Sequence, residues 1–142
     1  MIYKDRKVDD IEKLAKKTIG ETFLPKDIDK NILKTIPYEY PYRKINVQIE
    51  TEEFSCLCPF SGLPDYAKIT IQYIPDKNLI ELKSLKYYFY AYRNVKIYNE
   101  HAVNKILEDL KRVLKPKSLT VIGEFSIRGG AKNKITATYK KR

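Results

Sequence analysis

Apolar and polar residues alternate in four stretches of the chain, and this period of two predicts four β-strands. The stretches are residues 44–51, 67–74, 119–127 and 135–139. Between the first two, residues 54–66 contain Pro59, Gly62 and Pro64, which predict an irregular segment. Gly129 and Gly130 separate the last two strands and predict a tight turn there.

Two other stretches repeat their apolar residues with a period near 3.6 and predict amphipathic helices. The first follows a turn at residues 75–78 and continues to Arg93, with its apolar positions at Leu79, Leu82, Leu85, Phe89 and Tyr92. The second covers residues 99–114 and ends before Pro116. A shorter helix is predicted at residues 9–19, and the proline-containing residues 21–43 are predicted to form a surface connector.

The predicted order is strand, strand, helix, helix, strand, strand. Hairpin connections make such a sheet antiparallel, and both helices must then cover one of its faces. The fold class is therefore α+β. We divide the chain into an N-terminal helix and connector, residues 1–43, and a main domain, residues 44–142. No stretch approaches the ~20 apolar residues of a membrane span.

The chain is strongly basic, because 28 Lys and Arg stand against 18 Asp and Glu in 142 residues, a net charge of +10. Such a surface suits an anionic partner, either a nucleic acid or a phosphorylated cofactor, although a lysine-rich solvated surface would look the same. The start of the chain carries charges with no apolar stretch after them, and there are only two cysteines. We therefore expect a cytoplasmic protein with reduced thiols.

The densest chemical signal is Cys58, which precedes Pro59 and is followed seven residues later by Asp65. A thiol and a carboxylate in a turn-rich segment suit a nucleophile with a partner acid or base. The alternative is a small buried hydrophobic residue. With Cys56 and His101 as the other candidate ligands, the chain offers too few for a convincing zinc site. A Cys-His-Asp hydrolase using His101 remains open.

Three further features each have a functional and a plain structural interpretation. In the first predicted helix, two lysines and two tyrosines share one face, which could bind phosphates and stack on a flat ring or could simply be solvated. Glu100 could accept N–H donors from a purine-like base or complement the helix dipole. Arg128 beside two glycines could meet a phosphate or belong to a plain turn. The residues of the helix face are Lys83, Lys86, Tyr87 and Tyr90.

Taken together, these segments resemble the family of NADPH-dependent 7-cyano-7-deazaguanine reductases, the nitrile reductases of queuosine biosynthesis. The resemblance extends roughly from residue 44 to residue 130, and the length is similar to the short, single-domain form. The segment 81–88, ELKSLKYY, is similar to the family's own signature. The other residues that carry the resemblance are Phe54, Leu57, Cys58, Pro59, Gly62, Pro64, Asp65, Ala67, Tyr73, Ile74, Pro75, Arg93, Asn94, Glu100, Arg128, Gly129 and Gly130.

The resemblance implies the tunnelling fold (T-fold) and a homo-oligomer, a ring-stacked decamer with sites between neighbouring subunits. It also implies the reaction. Cys58 would add to the nitrile carbon as a thiolate, and the resulting thioimide would be reduced to a primary amine by two NADPH, with Asp65 supplying protons. The product would be 7-aminomethyl-7-deazaguanine. No metal, direct nucleic-acid partner or membrane is implied.

The resemblance also assigns binding residues. Those for the substrate would be Ile80, Glu81, Leu82, Asn99 and Glu100. Those for the NADPH phosphates would be Lys83, Lys86 and Arg128. One position departs from the family, which commonly has a histidine where this chain has Asn99. An amide forms hydrogen bonds but gains no proton near neutral pH, so a protonation role for that position is in doubt.

Two alternative functions are compatible with some of the same features. An amidinotransferase with the same fold would form the same thioimide but let ammonia attack it on a tRNA; the intact segment 81–88 argues against this, since such an enzyme needs no NADPH residues. A basic nucleic-acid-binding module is permitted by the charge and the twelve tyrosines. If the protein were such a module, its lysines should cluster on one face. If it is a reductase, they should lie near a cleft that holds Cys58.

Overall fold

A computed structural model describes residues 22–142 of the chain. Two single-turn 3-10 helices, Pro25–Asp27 and Lys30–Ile32, precede the regular elements. The strands are β1 (Thr35–Pro37), β2 (Val47–Leu57), β3 (Pro64–Ile74), β4 (Asn78–Ile80), β5 (Ser118–Arg128) and β6 (Ala131–Lys140). The helices are α1 (Leu82–Tyr90) and α2 (Asn99–Leu114). The predicted helix at residues 9–19 lies outside the described residues.

The main sheet is antiparallel and has the strand order β2-β3-β5-β6. Its alternation follows the sequence: Ile69, Ile71 and Val121 are buried on one face, whereas Gln72 on the other face is exposed. Both helices lie against the buried face, α1 beside β2 and α2 across β5 and β6. The predicted α+β class, with two helices on one face of a four-stranded antiparallel sheet, is confirmed.

An aromatic cluster fills the core between the sheet and the helices. The ring of Phe54 on β2 meets Phe89 of α1 and Phe125 of β5 edge to face, with centroids 6.1 and 6.4 Å away. Helix α2 approaches β5 so closely that a Cβ at Gly123 would stand 2.6 Å from the Val103 side chain. Glycine at this position lets the helix lie directly on the strand.

Each helix has a clear local start or end. The Glu81 carboxylate accepts the backbone N–H groups of Lys83 and Ser84 at 3.2 and 2.6 Å, which caps the N-terminus of α1. Lys115, in the left-handed conformation with φ 48°, ends α2 immediately before Pro116. The bounds of α2 agree with the prediction.

The segment 54–66, predicted to be irregular, is mostly strand. Strand β2 continues to Leu57 and β3 already begins at Pro64, so only residues 58–63 form a loop. A proline fits there because the first residue of a strand need not donate to the ladder. The prediction also missed the β-bulge between Thr51 and Phe54, which keeps Phe54 on the buried face.

The first helix was predicted to begin too early and to end too late. Residues 78–80 form β4, which pairs with β1. The Ile80 N–H also donates to the buried Tyr73 hydroxyl at 3.1 Å. Helix α1 therefore begins at Leu82 and ends at Tyr90. Leu82, predicted to belong to the apolar stripe, is 62% exposed.

The connector contains more structure than predicted. Besides β1, it contributes Ile28, Ile32 and Leu33 to the core. The proposed division of the chain at residue 43 stays a prediction. Within residues 22–142, no helix is long and apolar enough to cross a membrane.

Candidate active site

The Cys58 loop is closed by its own backbone. The N–H of Cys58 donates to the Leu63 carbonyl and the N–H of Gly62 donates to the Cys58 carbonyl, both at 2.9 Å. Gly62 has φ 72°, which favours glycine at this turn. The loop thus fixes the half-buried Cys58 thiol just beyond the end of β2.

The two cysteines lie in opposite environments. Hydrogen bonds from the Ser61 hydroxyl, the Ser61 N–H and the Phe60 N–H stabilise the Cys58 thiolate and lower the pKa of this thiol, outweighing partial burial and the charge of Asp65. Burial raises the pKa of Cys56 to about 12, and Asp65 adds to the rise. Both are free thiols. Cys58 is therefore the residue suited to be a nucleophile, since the thiolate is the reactive form.

Asp65 lies on β3 directly opposite Cys56 in the strand register. Its side chain is 13% exposed and forms an ion pair with Arg128, whose Nε is 3.0 Å from Asp65 Oδ1. The Arg128 guanidinium also donates to the Pro64 carbonyl. The structure thus adds a partner for Asp65 that the sequence did not indicate.

Asn99 and Glu100 are brought to the same end of the sheet. The N–H of Leu57 donates to the Val95 carbonyl at 2.9 Å and the N–H of Ile97 donates back to Leu57 at 3.0 Å. This pairing sets the start of α2 beside the Cys58 loop. The Glu100 Oε1 accepts from Asn133 Nδ2 at 3.3 Å.

Two side chains near this helix start differ in what they offer a ligand. Asn99 Oδ1 is buried and has no hydrogen-bond partner among residues 22–142, so it is an acceptor available for an N–H donor. His101, considered as a catalytic base, is exposed on α2 with its ring against Tyr98 at 5.7 Å. No group of three or more His, Cys, Asp or Glu in the described part of the chain could hold a metal ion.

Three more of the predicted residues line a separate groove of about 530 Å³, whereas Lys83 lies on α1 and lines neither this groove nor the smaller cavity beside it. Ile80, Glu81 and Leu82 form one side of the groove, and apolar residues of β2 such as Ile49 form the other. A smaller cavity of about 120 Å³ adjoins it, lined by Lys86 and Tyr90. The Lys86 ammonium lies over the Tyr87 ring, 5.1 Å from its centroid.

Residues 80–82 thus lie beside the beginning of β2, whereas Cys58 follows its end. Lys86 lies between them, in the cavity lined by Thr51 and Glu53. Ile49 lines the groove and Leu57 precedes Cys58. Along the partner strand β3, the seven steps from Ile71 to Pro64 that lie opposite this stretch span roughly 23 Å at the usual rise of a strand. Sequence reasoning missed Ser61 and Asn133; a serine three residues after a candidate nucleophile in a turn was a usable signal for Ser61, whereas nothing in the sequence marked Asn133.

Comparisons with known proteins show to which family the chain is similar. A family model described as "QueF-like protein" matches residues 64–142, more than half of the chain. A protein of Caldicellulosiruptor bescii named NADPH-dependent 7-cyano-7-deazaguanine reductase is 58% identical over 114 residues, which are 80% of this chain and 87% of that protein. A protein of the same name from Thermoanaerobacter pseudethanolicus is 54% identical over 121 residues, 85% of this chain and 91% of that protein.

A solved structure supports the fold alone. The crystal structure of the archaeosine synthase QueF-Like in the apo form aligns with a TM-score of 0.61 at 20% identity, covering 70% of this chain and 95% of that chain. The fold is thus the tunnelling fold inferred above. With relatives this similar over most of their length, the chain belongs to the QueF-like family, that of the NADPH-dependent 7-cyano-7-deazaguanine reductases.

Proposed function

We propose that this protein is a nitrile reductase that converts 7-cyano-7-deazaguanine to 7-aminomethyl-7-deazaguanine with two NADPH, in the biosynthesis of queuosine. The observation that carries the proposal is the pairing of a lowered-pKa thiol, Cys58, with a half-buried carboxylate, Asp65, on neighbouring strand ends. The names of the relatives supply the substrate and the cofactor.

The first step is addition of Cys58 to the nitrile. The sulfur forms a bond to the nitrile carbon, one C–N π bond breaks, and the nitrogen takes up one proton to give a thioimide. In balance, the thiol proton of Cys58 moves to the nitrogen, and we assign its transfer to Asp65. The donors at Ser61 and Phe60 assist by keeping the sulfur in its reactive form.

The described residues fit a phosphate-bearing cofactor. Lys86 and Lys83 lie on one face of α1, and Lys86 lines a cavity that also contains the tyrosine ring of Tyr90. Two ammonium groups beside aromatic rings suit phosphates and a flat ring. Two NADPH, bound in turn, would each supply one hydride; the carbon–sulfur bond to Cys58 breaks between the two reductions, so that the thiolate is released and the product is the primary amine.

For the substrate we assign Glu100 to the purine-like edge, because a carboxylate can accept two N–H donors of such a base. Asn99 Oδ1 offers a further buried acceptor one residue earlier. Ile80, Glu81 and Leu82 line the separate groove and are assigned to the substrate as well. The Glu81 carboxylate already caps α1, so its contribution to binding would come from a group held rigidly in place.

A complete site requires a second subunit. Cys58 and the groove lie at opposite ends of β2 in one chain, and β2 is an edge strand of the main sheet. A neighbouring copy that pairs along this edge would cover it and bring its own groove to Cys58. We therefore propose a ring-shaped homo-oligomer with sites between subunits, with the stacked decamer as its expected form.

The two free thiols also support a cytoplasmic location, since a reducing compartment keeps such groups reduced. No direct nucleic-acid partner is required, because the substrate is a free base and the lysines of α1 are assigned to the cofactor.

The test is a pair of absorbance measurements on the purified protein. With 7-cyano-7-deazaguanine alone, the wild type should form a thioimide adduct, and Cys58→Ala should not. With NADPH added, two NADPH should be consumed for each amine formed. Replacing NADPH with ammonia and the free base with a tRNA that carries the cyano base distinguishes the amidinotransferase, which would form an amidine on the tRNA. Absence of both adduct formation and NADPH consumption contradicts the proposal.

A further inference from the structure

Two carboxylates of the proposed site are held by one hairpin. Arg128, the last residue of β5, pairs with Asp65 of β3 at 3.0 Å, and Asn133 of β6 donates to Glu100 of α2 at 3.3 Å. Asp65 and Glu100 come from different elements. The β5–β6 hairpin is thus an element that contacts both of them.

The hairpin is built to present these two side chains. Gly129 and Gly130 both have positive φ, 55° and 78°, which gives a tight turn directly after Arg128. A register shift follows Phe125, so that pairing resumes at Arg128 opposite Ala131. Such bulges redirect side chains at the end of a sheet. Asn133 lies opposite the buried Phe125 and so shares the face on which α2 packs.

The Arg128 contact fixes the direction of the Asp65 carboxylate. An ion pair with a guanidinium is made by the ionised carboxylate, which is the form able to take the thiol proton of Cys58. Arg128 is also anchored by the Pro64 carbonyl, next to Asp65 in the chain. Arg128 is 43% exposed in its side chain, whereas Asp65 is 13% exposed, so the arginine shields the acid from the solvent side.

We propose that the β5–β6 hairpin is the positioning element of the active site, in which Arg128 orients Asp65 for proton transfer and Asn133 orients Glu100 for the substrate. This inference rests on the proposed function. It differs from the assignment of Arg128 to NADPH phosphates, because it gives Arg128 a task in the step that precedes NADPH. An experiment without NADPH therefore distinguishes the positioning role of Arg128 from a role in binding the NADPH phosphates.

The experiment for Arg128 measures the rate of thioimide formation with substrate and without NADPH. Arg128→Gln should slow this rate roughly ten-fold to a hundred-fold, the scale of a misplaced reacting group. Arg128→Lys keeps the charge and should recover part of the rate. Lys132→Gln removes a charge from an exposed position on the same hairpin and should react as fast as the wild type.

The outcomes separate the two proposals. If Arg128→Gln forms the adduct at the wild-type rate, Arg128 does not position Asp65. If the wild type itself forms no adduct, the proposed function fails and this inference fails with it. Melting temperatures show whether Arg128→Gln is folded. If it is not, the Arg128→Lys variant is used in its place. Thioimide formation at the full wild-type rate in Arg128→Lys, together with a raised Michaelis constant for NADPH, overturns the inference.

For Asn133, substrate affinity is measured by calorimetry in a Cys58→Ala background, which prevents the covalent step. Asn133→Ala should weaken 7-cyano-7-deazaguanine binding about five-fold to ten-fold, as expected when one hydrogen bond of ordinary strength is lost. The NADPH Michaelis constant, measured with Cys58 restored, should not change. Unchanged substrate affinity would overturn the assignment of Asn133.

Discussion

The Tyr88 hydroxyl donates to the buried carboxylate of Asp109 at 2.6 Å and thereby joins α1 to α2. The same hydroxyl lies 2.8 Å from that of Tyr92, and Lys105 pairs with Asp109 at 3.1 Å. Burial raises the pKa of both tyrosines well above their usual value, so both remain neutral donors. This network fixes the helix that carries the lysine face relative to the helix that carries Glu100.

Removing the Tyr88 hydroxyl should therefore destabilise the fold. Tyr88→Phe leaves Asp109 and Tyr92 each without one partner in the core, at a cost of about 1–3 kcal/mol. Tyr90→Phe is the matched control, because it lies on the same helix and its hydroxyl binds Glu53 at an exposed site. Chemical denaturation should show a clearly lower free energy of unfolding for Tyr88→Phe and a change within about 0.5 kcal/mol for Tyr90→Phe. Equal stabilities would show that the network contributes nothing.

The environment of Cys58 predicts how its reactivity depends on pH. Because hydrogen bonds from Ser61 lower the pKa of the thiol, Cys58 should react with iodoacetamide at a lower pH than an unperturbed cysteine. Ser61→Ala removes the largest of these contributions, so the pKa rises and the alkylation profile moves to higher pH. Cys56, with a pKa of about 12, should remain unmodified throughout. Peptide mass spectrometry distinguishes the two thiols.

An unshifted profile in Ser61→Ala would mean that the serine does not stabilise the thiolate. Faster labelling of Cys56 than of Cys58 would reverse the assignment of the nucleophile. Cys56→Ala serves as the control, since it should leave the labelling of Cys58 and the adduct absorbance in place.

The sequence predicted the parts of the fold that depend on local pattern. The bounds of α2 followed from its regular apolar stripe and from Pro116, and the β5–β6 turn followed from its two glycines. The sequence did not predict the extension of β2 and β3 toward the loop, because the prolines and acidic residues of this segment are unusual in strands. The strand pairing there is seen only in the structure, where Cys56 lies opposite Asp65. The conversion of residues 78–80 to a strand depends on β1 and Tyr73, which lie elsewhere in the chain.

The candidate site shows the same limit. Cys58 and Asp65 were recognisable because they lie close together in the sequence and in a turn-rich segment. The ion pair between Asp65 and Arg128 was not recognisable from the sequence. The two residues are distant in the chain and come together only because β3 and β5 are neighbours in the sheet. The separation between Cys58 and the groove residues likewise depends on the length of strand β2, which spacing along the sequence does not show.

Asp65 should be needed for chemistry more than for folding. Asp65→Asn keeps the size and part of the hydrogen bonding but cannot carry a proton, so the reaction rate should fall by about 10²-fold or more. Its ion pair with Arg128 is partly exposed, so the melting temperature should change little. Adduct formation, NADPH consumption and thermal unfolding are measured on the same sample. A large drop in melting temperature with normal activity would assign Asp65 a purely structural role.

The lysines of α1 should determine the affinity for NADPH. Lys83→Ala with Lys86→Ala removes two positive charges from one helix face, so the Michaelis constant for NADPH should rise, and the difference from the wild type should shrink as salt screens the charges. Lys117→Ala with Lys132→Ala is the control, since it removes the same charge at exposed positions outside α1. An unchanged constant in the first double variant, or an equal rise in the control, would refute a specific role.

Mixing two impaired variants tests whether sites are shared between subunits. Cys58→Ala lacks the nucleophile, and the double variant of Lys83 and Lys86 lacks the cofactor face, which lies on α1 beside residues of β2 such as Thr51 and Glu53. If each site takes one group from each of two neighbours, random mixed oligomers contain intact sites at roughly a quarter of their interfaces. Dissociating and reassembling an equal mixture should therefore restore activity at low NADPH well above that of either variant, and light scattering should show an oligomer. Recovery no greater than the average of the two variants, or an active monomer, would contradict the shared site.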